Sequence, residues 1–357
     1  MRFSLPAILG VTTFSASAGF PVPRTAAPSL QEMAPATARD MPLLSAPIVQ
    51  NFYGATSLRH DMVSLAAMAW SPYNGNFQNG TFTVDGLSAE VETTQWRACE
   101  GLRTGAAGNV AIANAVRMPF ESYAFQQIWS LTAADFDSHT VKASLDGPFF
   151  RFCDADGQGA CGWGTTFPVD RASFSATLIQ LNNSLMAMVT VDGVTGVACA
   201  SVFWFRDGAV NSSLAVATVA GNQTFSLTAS FAGGSAVLQQ VAAVGNSSTE
   251  ALQLLSQYIG DSGFSAAWSG ACDLWETRWQ SAFQQPSSSG GKNSHFAGNL
   301  PLLTSNSAEI DRLYYWAALA LVSLERTNYP SRPRTFVISQ GPSNSLDGSA
   351  GIGVLEN

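Results

Sequence analysis

Apolar and polar positions follow two different periods along this chain, and the change from one to the other divides it. From about residue 46 to 245 apolar residues recur every second position in short runs broken by turn residues. In FTVDGLSAEVE, Phe82 and Val84 precede a turn at Asp85-Gly86, and Leu87, Ala89 and Val91 resume the alternation. SLMAMVTVDGVTGVACASVFWF repeats the scheme, with Asp192-Gly193 as a hairpin turn between β-branched runs, and NQTFSLTASF sets Phe225, Leu227, Ala229 and Phe231 on one face. A period of two marks half-buried strands, and Asp-Gly is strong hairpin chemistry. Many short strands with no helix-length segments between them predict an antiparallel sandwich.

After residue 248 the period lengthens. Glu250 to Ile259 reads as a helix, and Phe264 to Phe283 as a longer one. Phe264, Trp268, Ala271, Trp275, Trp279 and Phe283 recur every three or four residues, so they share one stripe, which is expected to pack on the sandwich. The Ser/Gly-rich QQPSSSGGKNSHFAGN is a connector. A last helix over 308–327 follows, with Asn306 and Glu309 as its capping box and Ile310, Leu313, Tyr314, Ala317, Leu321 and Leu324 as its apolar stripe. Leu319 and Val322 fall off that stripe, so this helix is apolar on most sides. Tyr314, Trp316, Leu319 and Val322 are too many for the sandwich to cover, which predicts an exposed apolar patch and self-association. Pro330 and Pro333 end the helix, and the tail beyond Ser339 reads as loop.

Composition changes the picture in one respect. The chain is 46% hydrophobic but only 12% charged, with a net charge of −8 and 17 scattered Lys and Arg. Nucleic acid, which demands clustered cations, is excluded as a partner. The first residues pair one Arg with an apolar stretch from Leu5 to Phe14 and then Ala16-Ser17-Ala18, the order of a secretory signal cleaved near Ala18. No apolar run is long enough to span a bilayer. Extracellular destination agrees with glycosylation sequons at Asn79, Asn182, Asn211, Asn222 and Asn246. Of the cysteines, Cys153 and Cys161 bracket the turn-rich CDADGQGAC and are the first choice for a disulfide; an odd total of five leaves at least one thiol over. Asp154 and Asp156 echo a calcium loop, but Thr165 stands where its closing Glu belongs, so no metal site is expected. No catalytic triad, nucleotide fingerprint or cofactor motif occurs.

Three segments carry a family resemblance: DLWETRWQSAF (273–283), NLPLLTSNSAEIDRLYYWAALALVSLERTNYP (299–330) and SNSLDGSAGIG (343–353). With the preceding strands they resemble the six-hairpin glycosidases, in which an antiparallel supersandwich and a helical linker precede an (α/α)6 barrel. The resemblance implies a mainly β chain: signal peptide 1–18, flexible leader 19–45, β-sandwich 46–248, helical linker 249–299, and over 300–357 the first helix and loop of a truncated barrel. It also implies carbohydrate as partner. Leu346-Asp347-Gly348 matches the family's L-x-G loop, which would place Gln340, Asn344, Leu346 and Asp347 beside a sugar; the same stretch also reads as an ordinary polar turn. The aromatic-Trp-Asp segment that should follow is absent, and the catalytic carboxylates are expected beyond Asn357, leaving this chain inactive alone. The competing reading is a secreted carbohydrate-binding or cell-surface sandwich without catalysis.

Overall fold

The computed structural model describes residues 24–33, 36–38, 48–59, 61–70, 73–75, 77–97, 99–152, 171–181, 185–209, 211–219, 222–260, 263–284, 300–323, 325–327, 335–340 and 351–355. Among them the period-two region forms two antiparallel sheets. The larger has twelve strands, and its main path runs from Ala36–Ala38 through Glu90–Arg97, Glu100–Ala107, Val110–Arg117, Ala124–Asp146, Asn222–Gly245, Ala198–Asp207 and Met186–Asp192 to Phe174–Gln180. The smaller has six, centred on Leu65–Trp70 and Gly54–Leu58. Neighbouring strands are joined mostly by tight turns, as the sequence leads one to expect. Asp85, at the tip of one predicted turn, takes φ 52°, a left-handed conformation that Asp tolerates better than most residues.

Two strands of unusual length hold the large sheet together. Ala124–Asp146 and Asn222–Gly245 pair along most of their length, with a register shift between Ala133 and Ser138. Each changes its outer partner on the way: Ala124–Asp146 passes from Val110–Arg117 to Gly80–Val84, and Asn222–Gly245 from Asn211–Val219 to Ala198–Asp207. The irregularity lets one strand twist and serve two neighbours.

The sandwich core lies between the sheets. Val49, Leu58, Leu65, Met68 and Trp70 of the small sheet meet Val116, Phe125, Ala242 and Val244 of the large one. Trp70 stacks on Phe125 with ring centroids 5.5 Å apart. A polar seam crosses this interior. The guanidinium of Arg103, fully buried, donates to Asn114 Oδ1 and to the carbonyls of Asp61 (2.6 Å) and Ser64 (2.9 Å). Gln127 continues the seam by donating to Gln240 Oε1 at 3.2 Å, and Gln240 donates to Ser201 Oγ at 3.1 Å. Burial lowers the Arg103 pKa to about 10, so the group stays charged at neutral pH and its ring of acceptors is what makes it tolerable.

The three described helices are α1 (Ser248–Ile259), α2 (Gly263–Ser281) and α3 (Ala308–Ser323). α1 starts two residues before Glu250 because Ser247 caps it: the Glu250 amide donates to Ser247 Oγ, and Glu250 reaches back to the Asn246 amide. Ala251 and Leu255 then settle on Ala187, Ala198, Ala200, Val202, Val241 and Ala243 of the large sheet. Small side chains on the sheet let the helix approach closely. Ser307, not Asn306, heads α3, accepting from the Ile310 amide.

Two features of the C-terminal part differ from expectation. α3 ends at Ser323, before either proline, and Glu325–Arg326 turns into a small sheet. The tail expected to be loop contributes Thr335–Gln340 and Gly351–Leu355, which pair with each other antiparallel, Gln340 opposite Gly351. The expected leader also differs, since residues 24–33 include three buried side chains, Ala27, Leu30 and Met33, packed with α2 and α3. None of the described helices is long and apolar enough to cross a membrane.

Candidate functional site

The meeting place of sandwich and helices is built around the aromatic stripe of α2. Ala271, Trp275 and Trp279 are buried with Phe52 and Phe120 from the sandwich and Tyr315, Ala318, Leu319 and Val322 from α3. Phe52, Phe120 and Trp275 make a three-ring cluster with centroids 4.5 to 5.4 Å apart. Trp279 donates its indole N–H to the Pro28 carbonyl at 2.7 Å, and Gln280 donates to the Ala27 carbonyl, so the leader is a third layer on this helix. The stripe thus serves as core, as its helical spacing suggests.

Polar and covalent ties lock the junction. A disulfide joins Cys99, in the turn before Glu100–Ala107, to Cys272 of α2. Beside it Trp268 donates to the Cys99 carbonyl at 3.1 Å, and the Arg117 guanidinium lies 3.8 Å from the centre of the Trp268 ring. Arg117 is held in turn by Glu100 at 3.0 Å. Further along α2, Arg278 donates to Glu325 Oε2, an ion pair whose side chains are both almost fully buried. Thr327 closes the set by donating its amide to the Phe52 carbonyl.

α3 presents its two apolar sides in the reverse of the expected order. Tyr315, Ala318, Leu319 and Val322 face inward, whereas Ile310, Leu313 and Leu321 are 55%, 71% and 58% exposed. The reason is fit. Ala318 offers a small surface to α2, and the Tyr315 hydroxyl donates to the Leu303 carbonyl and accepts from the Leu303 amide, satisfying a polar group that a leucine would lack. An exposed apolar patch therefore exists on this helix, but on side chains other than Leu319 and Val322.

Of the residues expected beside a sugar, Gln340 ends the strand Thr335–Gln340; Asn344, Leu346 and Asp347 lie outside the described residues, so no constellation of the four is on view. Cys153, Cys161 and the Asp154–Asp156 turn also lie outside them, as does Asn182. Cys199 is a free, buried thiol whose pKa is pushed up by burial. Among the sequons, Asn246 is exposed with its Oδ1 accepting from the Tyr73 hydroxyl, Asn79 is half-buried, and Asn211 and Asn222 sit in strands. No cluster of three His, Cys, Asp or Glu suited to a metal occurs among the described residues.

Two features had no counterpart in the sequence reading. The first is an Asp–His–Asp clamp. His139 is buried between Asp85 (2.7 Å) and Asp135 (2.8 Å), and these carboxylates, Asp85 first, raise its pKa. The Thr140 amide and then His139 hold the Asp85 carboxyl below its usual range. The second is a groove of about 590 Å³ where α1 gives way to α2, flanked by Trp204, Gln239 and Tyr258. Both assemble residues far apart in sequence, which no local motif announces.

Comparison with known proteins agrees with the architecture. No family model matches the sequence, and no curated protein matches it. Among solved structures, the chain is similar to a bacterial glucoamylase crystallised with acarbose, at 10% identity and a TM-score of 0.50. The two share a fold. The match covers 90% of this chain and 44% of the glucoamylase, so this chain spans less than half of that protein's length. It is also similar to a GH92-family glycosyl hydrolase (10% identity, TM-score 0.43, 85% of this chain and 39% of the other). A GH92 inverting mannosidase from Bacteroides thetaiotaomicron aligns at 9% identity with a TM-score of 0.39, over 66% of this chain and 33% of its own. The mainly β fold, a sandwich with a small helical part, is therefore one that the glucoamylase also contains.

Proposed function

We propose that this chain is the sandwich-and-linker part of a secreted glycoside-hydrolase-like protein, on which a helical catalytic body is seated. The observation that carries the reading is the shared fold with glucoamylase over 90% of this chain but only 44% of that enzyme. The uncovered side of α3 supports it, because Ile310, Leu313 and Leu321 are the kind of surface that neighbouring helices cover. Export is supported by the Cys99–Cys272 disulfide, a bond that oxidising compartments favour, together with the signal-like start and the sequons.

Within such a protein the residues described here build a platform and do not perform the bond cleavage. Glycoside hydrolysis needs an acid and a base, or an acid and a nucleophile, placed across a sugar ring. The His139 clamp offers no such pair, since its carboxylates are spent on the imidazole. The purified 357-residue chain is accordingly expected to leave aryl-glucosides and aryl-mannosides intact. Turnover above an inactive control would overturn the platform reading. Sequencing the transcript past the Asn357 codon is the positive test: an open frame with roughly 300–400 further residues of helical period is expected, the length a twelve-helix barrel requires. An immediate stop codon would count against it.

A further inference from the structure

The groove at the α1–α2 junction has the chemistry of a binding site that the platform role does not require. Its floor is sheet: Trp204 stands opposite Gln239, Phe205 opposite Leu238, and Gln126 opposite Val241 on adjacent strands. Its wall comes from the end of α1, with Ser256 and Tyr258, and from the start of α2, with Phe264 and Ser265. At about 590 Å³ the space falls inside the ~300–1,000 Å³ typical of small-molecule pockets.

Three observations say what would enter it. Gln126 is 2% exposed and lines the groove, and its Oε1 has no hydrogen-bond partner among the described residues. An amide oxygen buried and bare is costly, and a donor arriving in the groove relieves that cost. The lining then alternates aromatic rings, Trp204, Phe205 and Tyr258, with the amide of Gln239 and the hydroxyls of Ser256 and Ser265. Rings take the C–H face of a pyranose, while amides and hydroxyls take its O–H groups. Charge is nearly absent. Arg206 sits where the strand pairing slips between Phe205 and Asp207, and its guanidinium lies 3.8 Å from the Asp207 carboxylate. A bulge of this sort re-aims a side chain beside a site, and the adjacent carboxylate offsets part of the exposed cation's charge. With no second cation among the described residues of the lining, an anionic ligand would gain little there.

We propose that this groove is a non-catalytic binding site for a short neutral oligosaccharide. It requires no hydrolase activity and no residues other than those named, so it stands or falls separately from the platform reading. The test is titration of the intact chain with maltotriose, cellotriose, mannotriose and trigalacturonate, followed by calorimetry and by tryptophan fluorescence. At least one neutral trisaccharide is expected to bind saturably at one site, and the anionic one at least about tenfold more weakly. Trp204→Ala is expected to weaken binding about tenfold or more through loss of the stacking surface. Ser265→Trp, a substitution at an exposed position that leaves the core alone, is expected to abolish binding by filling the groove. Absence of binding by all three neutral sugars overturns the proposal, as does affinity unchanged in either variant while its circular dichroism matches wild type.

Discussion

The Cys99–Cys272 disulfide gives the sharpest test of how sandwich and helices are joined. Its partners are 173 residues apart, and the loop it closes holds the strands from Glu100–Ala107 to Asn222–Gly245 together with α1 and the first half of α2. Removing it restores to the unfolded chain the freedom that the cross-link denied. For a loop of this length the chain-entropy relation gives about 5 kcal/mol, the upper end of what disulfides contribute. Melting entropy near 2.1 cal/mol/K per residue implies roughly 0.75 kcal/mol/K for a chain of this size, so the loss corresponds to a fall in Tm of about 7 °C. The native junction should survive, because the Arg117–Trp268 contact, the buried Arg278–Glu325 pair and the Phe52–Phe120–Trp275 cluster remain. The assay is differential scanning calorimetry of Cys99→Ala/Cys272→Ala against wild type, each with and without reductant. On reduction, wild type is expected to lose about 7 °C more than the double variant does. A variant melting within about 1 °C of oxidised wild type would refute the entropic argument. Peptide mapping that found Cys99 and Cys272 as free thiols would refute the pairing itself.

Two further outcomes follow from the geometry. The raised pKa of His139 contributes stability that is complete below its ordinary value of 6.5 and is lost as pH rises through the raised value, whereas the lowered pKa of Asp85 contributes above 3.8 and is lost as pH falls. The clamp therefore helps most between about pH 4 and 6.5, and His139→Gln should flatten the decline in Tm on the alkaline side; equal slopes in the two proteins would contradict this. Leu313→Glu/Leu321→Glu should shift the chain toward monomer in sedimentation velocity by placing charge on the exposed side of α3, and a wild type that stays monomeric at high concentration would show that the patch does not associate.

Local chemistry made the strands, the turns and the α2 stripe readable in advance. Asp85-Gly86 and Asp192-Gly193 turn the chain as expected, and Trp275 and Trp279 are buried as their spacing implies. These features depend on neighbours within a few residues, and a period of two or of three to four reports them directly. The ends of elements were less legible, because caps such as Ser247 and Ser307 compete with equally suitable neighbours.

What pairs across the chain was decided by the tertiary structure. Composition gave no reason to join Cys99 to Cys272, since only folding carries the turn before Glu100–Ala107 to the middle of α2. The residue 24–33 segment, part of a longer stretch rich in proline and alanine, looks unstructured alone but finds Trp279 and Gln280 as hydrogen-bond donors some 250 positions away. The groove likewise exists because Gln126, Trp204 and Tyr258 arrive from a long strand, its second neighbour and a helix end. α3 has two apolar sides of similar hydropathy, and its sequence cannot rank them. Contact with α2, with the room Ala318 leaves and the acceptor Leu303 offers Tyr315, selects one side and leaves Ile310, Leu313 and Leu321 to water. Hydrophobicity sets how much surface wants cover; only the shape and hydrogen bonding of the neighbour determine which surface gets it.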